Sequence, residues 1–100
     1  MNVKKIISEL ASQDLKEIGL WYNEKVNGLG KRFTKEVRAK INFLIKHPLS
    51  CEIRYNEVRI ALLKDFPYTI HYYYDSTDNI LLVLGVYHTS RNPTIWEDRK

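Results

Sequence analysis

The sequence predicts an α+β fold in which an α-helical hairpin packs on one face of an antiparallel sheet. Three observations lead there. Apolar residues recur at steps of three and four through two successive stretches, separated by only a few glycine-rich residues. After Pro48 the pattern changes to alternating and aromatic-rich segments, as strands require. Short polar or proline-containing turns join those segments, which suits antiparallel neighbours.

Taken in order, 3-VKKIIS-8 is short and β-prone and predicts a first strand. In 12-SQDLKEIGLWYNEKVNGLG-30, Leu15, Ile18, Tyr22, Val26 and Leu29 draw one apolar stripe and predict a helix. Ser12 or Asp14 is expected to cap its first turn, and Asp14 and Glu17 suit the positive end of its dipole. Gly28 and Gly30 are expected to stop it. The stretch 31-KRFTKEVRAKINFLIKH-47 repeats the periodicity with Phe33, Val37, Ile41, Leu44 and Ile45, and Pro48 ends it. Lys31, Arg32, Lys35, Arg38 and Lys40 crowd the rest of this second helix, which reads as a solvated face.

A three-stranded meander should follow. In 53-IRYNEVRIALLKD-65, Val58, Ile60 and Leu62 face one way and Arg59, Ala61 and Leu63 the other. Phe66-Pro67 makes a turn, because proline offers no backbone donor to a ladder. Then 68-YTIHYYYD-75 is an aromatic strand, 75-DSTDN-79 a polar turn, and 80-ILLVLGVYH-88 the last strand. Alternation alone does not say whether Arg59 and His71 share a side of the sheet.

Residues 1–100 are expected to form one small domain with one modest core. The single cysteine, Cys51, cannot form an internal disulfide and points to a reducing, cytoplasmic setting. Glu9 and Gln13 interrupt the N-terminal apolar run too early for a secretory leader, and no segment suggests a membrane span. No glycine-rich phosphate loop precedes a helix, and no paired Cys/His spacing suggests a metal, so no cofactor is expected. The net charge of +4 favours polyanions or an acidic partner.

Three stretches carry a family resemblance: 14-DLKEIGLWY-22, Arg59 followed by 66-FPYTIHYYY-74, and the tail 86-VYHTSRNPTIWEDR-99. In order and spacing the chain resembles the RelE/ParE superfamily of bacterial toxins from type II toxin–antitoxin modules. The resemblance implies a cognate antitoxin, taken up in an exposed apolar groove on the helical hairpin or at an unpaired strand edge, and a toxin–antitoxin hetero-oligomer. It also implies one of two activities. ParE-like members bind DNA gyrase without doing chemistry of their own; RelE-like members enter the ribosome and cut messenger RNA.

Cleavage by a 2′-hydroxyl needs proton transfer and cations on the scissile phosphate. His88 or His71 would move protons, and Arg59 and Arg91 would neutralise the phosphate. For binding of nucleic acid or another target, Lys64 adds a cation, Tyr73, Tyr87 and Trp96 add stacking surfaces, and Arg59, His71 and Arg91 add polar contacts. Trp96, just past Pro93, also suits an anchor that pins the tail. RelE-like nucleases cluster several cations on the sheet, whereas this meander is poor in them and its last strand has none. The tail 88-HTSRNPTIW-96 is more similar to ParE-type sequences, so inhibition by binding is favoured over cleavage, and the basic charge leaves a non-toxic nucleic-acid or protein interaction module as a further alternative.

Overall fold

The computed structural model describes residues 2–90. Its elements are β1 (Lys4–Ile7), α1 (Glu9–Lys25), α2 (Leu29–Lys46), β2 (Ile53–Tyr55), β3 (Val58–Leu62), β4 (Tyr68–Asp75) and β5 (Ile80–His88). They build one five-stranded sheet in the order β1-β5-β4-β3-β2. β1 runs parallel to β5, and every other pair is antiparallel. The α+β expectation is met.

Ser8 joins strand to helix with no loop between. Its N–H donates to Val83 O at 3.0 Å, which continues the β1–β5 ladder. Its extended backbone and Oγ, which accepts from Ala11 N at 3.0 Å, cap α1. The cap is therefore Ser8, not Ser12 or Asp14, and the helix begins a turn earlier than its apolar stripe suggests. Asp14 has another task. Beyond the end of β1, the exposed edge of β5 is satisfied by α1 side chains: Ser8 Oγ donates to Leu84 O at 3.2 Å, and Asp14 Oδ2 accepts from Val86 N at 3.0 Å.

Gly28, with φ of +87°, reverses the chain and N-caps α2 through its backbone alone. Gly30 does not end α1. It lies in the first turn of α2, where the two helices touch, and its N–H donates to Asn23 Oδ1 of α1 at 2.8 Å. Lysine at position 25, in the last turn of α1, suits the negative end of that helix.

The segment expected as one strand over 53–65 is a hairpin. Asn56 and Glu57 both have positive φ, 41° and 64°, which is the two-residue turn that matches strand twist. The meander thus has a fourth, outermost strand, β2. The next turn is clamped from the helices: the Glu36 carboxylate of α2 accepts from Lys64 N at 2.6 Å and Asp65 N at 3.0 Å.

One face of the sheet carries the main core. Phe33, Val37, Ile41 and Leu44 of α2 and Ala11 of α1 pack on Ala61, Ile70, Tyr72, Leu81, Val83 and Val86. On β4 the even-numbered residues face the helices, and Thr69 and His71 are buried on the opposite face. A bulge at His71/Tyr72 places Leu84 as the extra residue of β5.

Candidate functional site

The register answers what alternation left open. Arg59 pairs with Tyr72, and Ile60 pairs with His71. Directly paired residues share a face, so Arg59 lies on the helix side and His71 on the other. Arg59 Nη1 donates to the carbonyl of Cys51, which ties the β2 approach to β3.

His71 is fully buried. Its Nδ1 lies 2.8 Å from Tyr55 Oη and its Nε2 3.0 Å from Thr69 Oγ1, while Thr69 Oγ1 donates to Tyr87 O at 3.2 Å. A single proton order satisfies the chain: Tyr55 donates to Nδ1, Nε2–H donates to Thr69, and Thr69 donates to the carbonyl. That is a neutral imidazole with both nitrogens engaged. Tyr87 stands edge-on to it with ring centroids 4.7 Å apart. The ring of Tyr87 also lies over Gly85, where an added Cβ would meet Tyr87 Oη at 2.7 Å. Glycine at this position makes room for the stack.

His88 sits elsewhere. It pairs with Tyr68 at the far end of β4 and is half-buried. Nδ1 accepts from Ser90 N at 3.1 Å and lies 2.8 Å from Ser90 Oγ, so the neutral ring carries its proton on Nε2. From His88 to Arg59 is two strand spacings across and four residues along, roughly 16 Å between Cα atoms. His88 and Arg59 are therefore not neighbours. Lys64 lies in the β3–β4 turn, and Tyr73 is on the His71 face, in line with Thr69. Arg91 and Trp96 lie outside the described residues.

What His88 does border is a groove of about 470 Å³. Glu17, Ile18, Trp21 and Tyr22 of α1 form one wall, and Pro67, Tyr68 and His88 the other. Its floor continues into an aromatic cluster. Tyr22 meets Phe66 at 5.0 Å and Phe33 at 5.6 Å, and Tyr68 meets His88 edge-on at 5.2 Å. Burial, and then the neighbouring Tyr68, raise the pKa of Tyr22, so its hydroxyl stays a proton donor. Trp21 is 51% exposed at the rim, beside an exposed Leu20. Sequence reading gave Tyr22 to the apolar stripe of the first helix and Trp21 to that stripe or its edge; the spare aromatic next to a stripe residue was the available signal. Tyr55 and Thr69, the partners of His71, carried no signal because their roles depend on register.

The described residues hold no group of three or more His, Cys, Asp or Glu able to bind a metal. No helix among them is long and apolar enough to cross a membrane.

Comparison with known proteins places this geometry. The family model for the ParE toxin of type II toxin–antitoxin systems (parDE) matches residues 6–93. The chain belongs to the ParE toxin family. Among solved structures, the fold is similar to the chromosomal ParDE toxin–antitoxin system of P. aeruginosa, with TM-score 0.75 and 12% identity, covering 86% of this chain and 95% of that one. It is also similar to the E. coli toxin RelE, in a mutant solved in the free state, with TM-score 0.61 and 14% identity over 99% and 94% of the two chains. A third similar structure is the RelBE2 toxin–antitoxin complex of Mycobacterium tuberculosis, with TM-score 0.56 and 15% identity over 88% and 99%. No curated protein matches the ParE-family chain in sequence.

Proposed function

We propose that this ParE-family chain is a growth-arresting toxin that a cognate antitoxin neutralises, and that it acts by binding DNA gyrase rather than by cutting RNA. The observation that supports the choice is the separation of His88 by roughly 16 Å from Arg59, the one of the two expected phosphate cations that lies among the described residues. Attack by a 2′-hydroxyl needs its proton-transfer group and its phosphate cation within reach of the same few atoms. His71 does not supply the missing partner, because it is buried with both ring nitrogens engaged. A binding surface makes no such demand.

The antitoxin reading rests on the groove. Its apolar body with an exposed indole, one carboxylate and one imidazole suits the apolar face of a helix laid along α1. Two similar structures, ParDE and RelBE2, are toxin–antitoxin assemblies by name.

Ribosome-dependent cleavage is the competing reading, and one observation favours it. His88 and Glu17 border the same groove, so an imidazole and a carboxylate face one cavity. Pulse labelling within minutes of inducing the chain in bacteria decides between them. Under the gyrase reading thymidine incorporation falls first. Amino-acid incorporation falling first overturns it in favour of RNA cleavage, and normal growth with neither affected removes the toxin reading.

A further inference from the structure

Positive charge is concentrated on one element. α2 holds six cations and one acid, a net of five charges, against a net of four for the entire chain. The rest of the chain therefore sums to one negative charge. At 3.6 residues per turn, Lys31, Arg32, Lys35, Arg38 and Lys46 fall within an arc of roughly 120°, directly opposite the buried stripe of Phe33, Val37, Ile41 and Leu44. All five are exposed.

Among the described residues nothing answers this charge. None of the five forms an ion pair with a described residue. Glu36, on the flank, spends its carboxylate on Lys64 N and Asp65 N, and Asp65 shares only the shallow cleft beside Arg32 and Lys35. Local rules are broken as well. Lys31 and Lys35 are like charges one turn apart, which weakens a helix. Lys31 and Arg32 stand near the positive end of a helix that has no acidic residue in its first turn and whose N-cap, Gly28, has no side chain to cap it. A sequence that works against its own helix at several positions marks a surface kept for another purpose.

We propose that the outward face of α2 docks on the phosphate backbone of double-stranded DNA. The row from Lys31 to Lys46 is roughly 22 Å long at 1.5 Å per residue, enough to follow several phosphates of a rigid duplex. The arc itself carries no aromatic residue, and the exposed Phe43 on its flank already lies against Lys40 and His47, so no row of stacking platforms is offered to unpaired bases, which argues against a single strand. The narrow major groove of A-form RNA excludes a helix, whereas that of B-DNA admits one. Asn42 is the arc's one amide, and the cations beside it are assigned to phosphates, so sequence preference is weak. This surface is independent of the groove beside His88 and of the choice between gyrase and ribosome.

Fluorescence anisotropy of the purified full chain with a labelled 20-base-pair DNA, from 50 to 300 mM KCl, tests it. Full engagement of the five cations gives a log–log salt slope of about −4.5, and the variant Lys31→Gln/Lys35→Gln/Arg38→Gln loses about 2.7 of it. Removing like charges should leave its circular dichroism melt unchanged or higher; if that variant does not fold, Arg38→Gln/Lys46→Gln should lose about 1.8 of the slope. The control Lys4→Gln/Lys5→Gln, on β1, should bind as the parent does. The proposal is overturned if the parent fails to bind at 50 mM, if the folded α2 variants keep the parent slope, or if the β1 control loses as much. Equal affinity for single-stranded DNA or duplex RNA overturns the choice of partner.

Discussion

Gly30 of α2 packs directly against the carbonyl oxygen of Gly19 on α1, so closely that a Cβ at position 30 would overlap that oxygen and the amide of Asn23. The same residue donates its N–H to Asn23 Oδ1, so one helix caps the other across the hairpin. Position 19 is different. A Cβ there meets Thr34 Oγ1 at 3.7 Å, an ordinary contact.

This asymmetry gives a paired prediction. Gly30→Ala forces the helices apart and should cost about 2–3 kcal/mol, as overpacking of a closed contact does. Gly19→Ala should be neutral or stabilise by up to about 1 kcal/mol through helix propensity. Urea denaturation of both variants checks this, and equal destabilisation would mean the close approach is not where the structure puts it.

The hairpin was legible in the sequence because Phe33, Val37, Ile41 and Leu44 keep helical spacing whatever lies nearby. Its limits were not. Ser8 serves as ladder residue and helix cap at once, so no loop residues separate β1 from α1. The Asn56-Glu57 turn was hidden because glutamate seldom takes positive φ and no glycine marks the site. The two candidate histidines were visible as residue types but not as places. That His71 faces away from Arg59 follows from the pairing of Ile60 with His71, a register set by turns whose geometry composition does not reveal.

The chain Tyr55–His71–Thr69 centres on a fully buried imidazole, where a broken link leaves a polar atom without compensation. Tyr55→Phe removes the donor to Nδ1 and should cost about 1–3 kcal/mol. Gly85→Ala pushes the ring of Tyr87 off His71 and should also destabilise, by about 1–3 kcal/mol. Thermal melts measure both. Losses within about 0.5 kcal/mol of zero, the range of ordinary surface substitutions, would show that the cluster carries little stability.

Alkaline pH should weaken the fold through Tyr72. Its hydroxyl donates to Pro48 O at 3.0 Å, and burial first, then hydrogen bonding to Cys51, raise its pKa well above the ordinary 10.0. Below pH 10 both folded and unfolded chains hold this proton, and its contribution does not change with pH. Above pH 10 the unfolded chain releases the proton while the folded chain keeps it, so stability falls by about 1.4 kcal/mol per pH unit. Tyr72→Phe should flatten that decline between pH 10 and 11. An unchanged slope in the variant would place the alkaline sensitivity elsewhere.

The groove beside His88 leads to a prediction that separates binding from folding. Trp21 is half-exposed at its rim and touches Tyr22 edge-on at 5.1 Å, so the core under it is closed by Tyr22 and not by the indole. Trp21→Ala should therefore change stability by less than about 1 kcal/mol. An exposed aromatic at the mouth of an apolar groove is nevertheless the kind of residue on which binding energy concentrates, and its truncation should weaken antitoxin affinity by about 2 kcal/mol, near thirtyfold. Titration calorimetry of the purified variant with the product of the neighbouring open reading frame measures this, beside Leu49→Ala as an exposed apolar control away from the groove. If the Trp21 variant binds as tightly as the parent while the Leu49 variant does not, the antitoxin docks at the β2 end of the sheet, and the groove serves another ligand.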